Sequence, residues 1–204
     1  MSTSDSEGGY HHGDLKRALV DAALALLDEA GTDSIGLREL ARRVGVSPAA
    51  PYRHFAGRQA LLEAVAAEGF RRFSAQMDAA RAGLPEDDQL AAMAETYVRF
   101  ALGQPALFRL MFSRQIDKQG NVDLHAAARE AYASLATAAA REDATAAAET
   151  AVTTWAFVHG LAMLLIDDQI LGVSPENRDG LVRKLAGRFV AGVRAAVAHD
   201  AQLR

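Results

Sequence analysis

The chain has 204 residues, half of them hydrophobic, a formal net charge of −4 and no cysteine. That length supports a sizeable core, the composition is too apolar for a disordered chain, and disulfides and thiolate metal centres are excluded, which suits a reducing cytoplasm. Residues 1–9 lack the basic and apolar regions of a secretion signal, and the best apolar run, residues 155–166, is too short for a membrane span, so no membrane contact is expected.

No stretch alternates with the period of a strand. The apolar spacing is helical throughout and predicts an all-α chain of about nine helices. Residues 1–12 read as a mobile arm. A first helix is expected over about residues 14–30, with Leu15, Ala18, Leu19, Ala22, Leu26 and Leu27 on one face. Asp14 suits the positive end of its dipole, and Gly31 suits its left-handed stop. A second helix covers residues 37–44 and ends at Gly45; Gly36 is a weak start, and Ser34 is a candidate cap for a slightly earlier turn. A third short helix follows, with Ser47 as N-cap and Pro48 at its first position, ending near His54 and Phe55.

A long fourth helix starts at about Arg58, carries Leu61, Leu62, Val65, Phe70 and Phe73, and breaks at residues 83–85. Helices are then expected over about 86–102, 105–112, 122–141, 144–171 and 181–199. The domains predicted from this order are a small helical domain at residues 13–60 and a helical bundle at residues 61–204. The boundary falls along the fourth helix.

Charge is divided unevenly along this plan. Residues 1–35 carry net −5 and residues 63–204 net −3, whereas residues 36–62 hold Arg38, Arg42, Arg43, Arg53 and Arg58 against Glu39 alone, net +4. A cationic island on an acidic body fits a nucleic-acid face. The same residues have helix-turn-helix logic. Leu40 and Val44 share one face, Ala41 is small enough for a close crossing, Gly45 permits a positive φ, and Val46 packs inward.

Val46-Ser47, Tyr52-Arg53-His54-Phe55, Arg58 and Leu61-Leu62 closely resemble the tetracycline-repressor (TetR) family, whose pattern ends in Tyr-x-x-Phe and a basic residue opening the next helix. The resemblance is dense over residues 10–73 and rests mainly on helix count beyond them. Tyr10-His11-His12-Gly13-Asp14-Leu15, residues 49–55 and Trp155 with His159-Gly160 resemble the subgroup named for a C-terminal Trp-His-Gly signature. Ala49-Ala50 depart from the Gly-Thr of many members and remove one hydroxyl. Pro51 lacks the N–H that would bond the Ser47 carbonyl.

The DNA-binding residues expected are Arg38, Ser47, Pro48, Ala49, Ala50, Tyr52, Arg53, His54 and Arg58. Ser47, Tyr52 and His54 can bond phosphate oxygens, and Arg38 and Arg58 add charge. Pro48, Ala49 and Ala50 can touch base edges only through apolar contact, and Arg53 is best equipped to read a base. On a core reading, Tyr52 and Phe55 are buried aromatics and the arginines a solvated face; Phe55 is assigned to the core.

In the bundle, the resemblance implies an inducer cavity and a homodimer through the last two helices. Tyr97, Phe108, Met111, Phe112 and Trp155 suit an apolar ligand, with His159 as a polar handle; filling the core explains the same residues. Ala156, Gly160, Ala162 and Met163, with Leu185, Phe189, Val193 and Ala196, are the small and aliphatic residues of the implied dimer helices.

No metal-binding, phosphate-loop or nucleophile pattern appears, so no cofactor is implied. His11, His12 and Asp14 on the arm suit phosphate or minor-groove contact better than a metal. The expected function is a cytoplasmic, sequence-specific transcriptional regulator, a repressor released from a palindromic operator by a small apolar inducer. The alternatives are an all-α ligand-binding or enzymatic bundle with an incidental hairpin, and a non-specific architectural DNA binder.

Overall fold

A computed structural model describes residues 12–142 and 146–202. The arm expected over residues 1–12 lies outside them, apart from the backbone of His12. Among the described residues there are eight α-helices, three short 3₁₀ helices and no strand: α1 His12–Ala30, α2 Leu37–Val44, α3 Arg58–Arg81, α4 Glu86–Gly103, α5 Pro105–Phe112, α6 Val122–Glu142, α7 Ala147–Ile166 and α8 Arg178–Gln202. The chain divides into two compact units between Val65 and Ala66, a boundary that falls within α3.

In the first unit α1 packs on α2 and on the residues that follow it. Leu19, Ala23, Leu26 and Leu27 of α1 meet a core that includes Ile35, Leu40, Ala41, Phe55, Leu61 and Leu62, all buried. Their spacing along α1 is the i, i+4, i+7 stripe that leaves the opposite face to charged residues. Gly31 ends α1 with φ 75°, and Gly45 ends α2 with φ 77° and ψ 30°. Across Gly45 the Val46 N–H reaches the Ala41 carbonyl at 2.9 Å, closing the turn. α2 begins at Gly36 without a side-chain cap. Ser34 caps nothing: its hydroxyl donates to the Gly31 carbonyl at 2.6 Å and closes a 3₁₀ turn at Thr32–Ser34.

The expected third helix is the one missing from the α count. Residues 48–49 form a turn and Ala50–Arg53 a 3₁₀ helix. Pro51 supplies the reason. Without an N–H at residue 51 the Ser47 carbonyl has no i+4 donor, and it accepts instead from Ala50 N–H at 3.0 Å. Tyr52 to Ala49 and His54 to Pro51 repeat the i→i+3 pattern. The N-cap is Ala49 rather than Ser47, and no side chain caps it.

The second unit is a bundle in which α4 packs on α7 and α8, and α6 packs on α7. α4 buries Leu90, Met93, Ala94, Tyr97, Val98, Phe100 and Ala101 on one broad face. Each fully buried Leu or Phe of such a face is worth about 1.5–3 kcal/mol of transfer free energy. α7 stops five residues before the expected end at Leu171. Asp168 takes φ 52°, the Gln169 N–H reaches the Leu164 carbonyl at 2.8 Å and the Asp168 N–H that of Leu165 at 3.4 Å. This is a Schellman stop with aspartate where glycine usually stands. α8 starts at Arg178, earlier than the expected residue 181, behind a 3₁₀ turn at Pro175–Asn177.

Residues 155–166 alone are too short to span a membrane; α7 extends the apolar segment to twenty residues, a length and composition that core helices of globular proteins share. The added first half is alanine- and threonine-rich, with Glu149 its only charge. Within the bundle the helix buries Ala151, Thr154, Val158, Leu161, Ala162 and Leu165 and exposes Val152 and Leu164.

Candidate nucleic-acid interface and ligand cavity

α2 and the Ala50–Arg53 turn pack against each other in the first unit. Of the residues expected to meet DNA, Arg38 lies on α2, Ala50, Tyr52 and Arg53 lie on the turn, Ser47, Pro48, Ala49 and His54 flank the turn, and Arg58 opens α3. Arg38, Ser47, Pro48, Ala49, Tyr52 and Arg53 are exposed, Ala50 and His54 are half-buried, and Pro51 is buried. Tyr52 keeps 52% of its surface exposed, whereas Phe55, three residues on, keeps 2%. The pair separates as a core aromatic and an outward one.

The arginine island sorts itself by partner. Arg42 clamps the Glu39 carboxylate through two bonds of 2.9 and 2.7 Å. Arg43 bonds Glu39 at 3.0 Å and Glu29 at 2.8 Å. The bonds from Arg42 and Arg43 hold the Glu39 carboxyl down at about 2, from an ordinary 4.5. Arg58 donates to the carbonyls of Ile35 at 2.9 Å and Thr32 at 2.6 Å, tying the start of α3 to the loop before α2. Among the described residues, Arg38 and Arg53 make neither a hydrogen bond nor an ion pair with the protein. Two arginines of five are therefore uncommitted, a distinction invisible in a charge count.

The second unit carries a partly open cavity of about 390 Å³, several of whose lining residues, among them His125, Arg129, Tyr132 and Trp155, are exposed. Phe70, Phe73 and Met77 of α3, Phe112 of α5, Leu135 of α6 and Trp155 of α7 form its apolar wall. Of the six residues expected here, Tyr97, Phe112 and Trp155 line the cavity. Phe108 and Met111 do not; both are fully buried in the core. Their place follows from Gly69, where an added Cβ would lie 2.9 Å from Leu107 and Met111, so α5 sits tight against α3.

His159 does not line the cavity either; it sits behind Tyr97. The Tyr97 hydroxyl lies 3.0 Å from His159 Nδ1 and accepts the Trp155 indole N–H at 3.2 Å. Trp155 and His159 are one helical turn apart on α7, so the hydroxyl of α4 joins both. Burial, with a smaller push from Lys118, lowers the His159 pKa. A neutral imidazole accepting at Nδ1 from the Tyr97 hydroxyl completes a chain of three satisfied groups. Burial raises the Tyr97 pKa, which keeps the phenol protonated as a donor.

The polar side of the cavity was not foreseen from the sequence. It consists of Lys118 and Gln119 in the loop before α6, and His125, Arg129 and Tyr132 on α6. The last three stand at i, i+4 and i+7, one face of a helix. A loop lysine carries no local signal that it will fold over aromatic rings. Among the described residues no group of three or more His, Cys, Asp or Glu side chains could hold a metal.

Residues 19–65 match the family profile of bacterial regulatory proteins of the tetR family, and residues 90–189 that of the tetracyclin repressor-like C-terminal domain. Over 107 residues the chain is 26% identical to an uncharacterized helix-turn-helix transcriptional regulator of Bacillus subtilis, YobS, covering 52% of this chain and 56% of that protein. Over 102 residues it is 30% identical to the class D tetracycline repressor protein of Escherichia coli, covering 50% of this chain and 41% of that one. The chain thus spans about half the length of the curated relatives it matches. A solved protein of unknown function from Rhodococcus sp. RHA1 superposes with a TM-score of 0.78 at 32% identity, covering 91% of this chain and 98% of that one.

Proposed function

Because the chain belongs to the tetR family of bacterial regulatory proteins, whose members are transcriptional regulators rather than enzymes, we propose that it binds operator DNA and represses transcription until a small apolar ligand fills its bundle cavity. On this reading the segment from Ser47 to His54 enters the major groove. Ser47, Tyr52 and His54 hold phosphates, Ala49 and Ala50 allow close approach to base edges, and Arg53 reads a base. Arg38 adds phosphate contact from α2, and Arg58 contributes what charge its loop carbonyls leave.

The observation that carries the reading is the pair Arg38 and Arg53, exposed and unpartnered among the described residues while Arg42, Arg43 and Arg58 are engaged. An exposed, unpaired guanidinium beside a left-handed glycine turn is what recognition of an anionic duplex requires.

A homodimer is proposed through the exposed faces of α7 and α8, which would present two recognition segments to the half-sites of a palindrome. Ala156 of α7 and Ala196 of α8 are exposed there, Gly160, Met163, Leu185, Phe189 and Val193 are half-buried, and Ala162 is buried inside the bundle. Trp155, His159 and Gly160 fit the Trp-His-Gly subgroup, since the first two share the Tyr97 hydroxyl. The place of action is the cytoplasm, where operator DNA lies.

The test is fluorescence anisotropy with DNA from upstream of the protein's own gene, titrated with salt and random competitor. Tight, competitor-resistant binding is expected. Absence of binding to any duplex at low salt removes the regulator reading.

A further inference from the structure

Resting on the proposed ligand cavity, we infer that its ligand is an apolar monocarboxylate, whose anionic head lies between Lys118 and Arg129 and whose body packs on Phe112 and Trp155. Two cationic side chains line the cavity and no aspartate or glutamate does. The Lys118 ammonium sits 5.1 Å from the ring centre of Phe112 and 5.6 Å from that of Phe70, half-buried and without an ion pair among the described residues. Even partial burial of an unpaired charge carries a desolvation cost that a bound anion would offset. Burial lowers the Lys118 pKa, the direction of an uncompensated charge.

The acids nearest in sequence are engaged elsewhere. Asp117 accepts the backbone N–H groups of Gln119 and Gly120 at 3.0 and 2.9 Å, and Asp123 pairs with Arg71. Arg129, exposed on α6 and with no ion pair among the described residues, offers the second donor from the cavity lining. A cationic ligand would suit the aromatic rings alone, but it would meet Lys118 already seated on them. The volume of about 390 Å³ fits an acid with one ring or a medium-length chain.

Trp155 is the chain's only tryptophan and lines the cavity, so its emission reports occupancy. The experiment titrates the full chain with decanoate and 4-butylbenzoate, each against its primary amide, and with decyltrimethylammonium. Both acids are expected to shift Trp155 emission and to bind at least tenfold tighter than their amides. Lys118→Met and Arg129→Gln should each weaken acid binding fivefold or more and leave the amides within twofold; Lys118→Arg should keep the preference. Equal affinity for acid and amide, or tighter binding of the ammonium, overturns the carboxylate inference and leaves the ligand cavity standing. If no probe binds at millimolar concentration, the cavity reading falls with it, while operator binding is judged separately by anisotropy. A preference that survives both charge-removing variants also overturns the inference.

Discussion

In residues 37–55 the groups with chemistry point out of the fold, and the apolar ones are spent on holding a turn. Tyr52 and Arg53 are exposed, while Leu40, Ala41 and Phe55 are buried beneath them. In the bundle the arrangement is inverted. Trp155, Tyr97 and Phe112 line a partly open pocket, with Trp155 itself exposed, and their neighbours Phe108 and Met111, one or a few residues away, are sealed in the core. The difference teaches where single residues can be read alone. An outward residue on a short turn answers to its own chemistry, whereas an inward one answers to helices from across the unit.

The sharpest break of that comparison is thermodynamic. Phe108→Ala removes a fully buried ring and is expected to cost about 3–5 kcal/mol in denaturant unfolding, whereas Tyr52→Ala should stay within about 0.5 kcal/mol. Similar losses in both would abolish the contrast. The arginines offer the next test. Arg53→Ala should leave the melting temperature unchanged and forfeit about 1–3 kcal/mol of discrimination at one base position. Arg58→Ala should instead lower stability by about 1–2 kcal/mol through its lost carbonyl bonds. An Arg58 variant of unaltered stability would return that residue to the DNA face alone.

Smaller still, Tyr52→Phe should weaken binding by about 0.5–1.5 kcal/mol on every sequence alike, measured against several operators. Glu39→Gln gives the smallest effect on the fold. Its carboxyl is held at about 2 in the folded chain, from 4.5, so its contribution is complete above 4.5 and disappears as pH falls through about 2. The variant should lack that acid-side slope in stability against pH. Releasing Arg42 and Arg43 should also steepen the salt dependence of DNA binding by about one to two units of slope. An unchanged slope would mean the pair never reaches phosphate.

The legible part of this molecule was local. Gly45 announced a left-handed stop and Gly31 a positive-φ stop because only their own backbone angles were at issue, and Leu40, Ala41 and Phe55 announced burial by helical spacing. Pro51 was recognised as costing a bond, but its effect on the whole segment, α-helix to 3₁₀, depended on the competing i→i+3 donor at Ala50. Asp168 concealed the end of α7, since aspartate seldom takes the conformation that Gly172 advertises. In the bundle, the cavity joins residues from α3, α4, α5, α6, α7 and a loop. No window of sequence contains them all, and core and cavity aromatics share one spacing. The engagement of Arg42, Arg43 and Arg58 was hidden likewise, because a side chain's partner is set by the fold.

The turn that Pro51 imposes also sets a ruler. A 3₁₀ segment climbs about 2.0 Å per residue and returns to the same edge every third residue. Ala50 and Arg53 thus lie on one edge, about 6 Å apart, where an α-helix would place them about 4.5 Å apart and rotated from each other. Duplex DNA advances about 3.4 Å per base along a strand. On the proposed DNA-binding reading, that edge laid in a groove would span close to two base steps, and base positions met by residues 50 and 53 would be spaced by an intervening base pair.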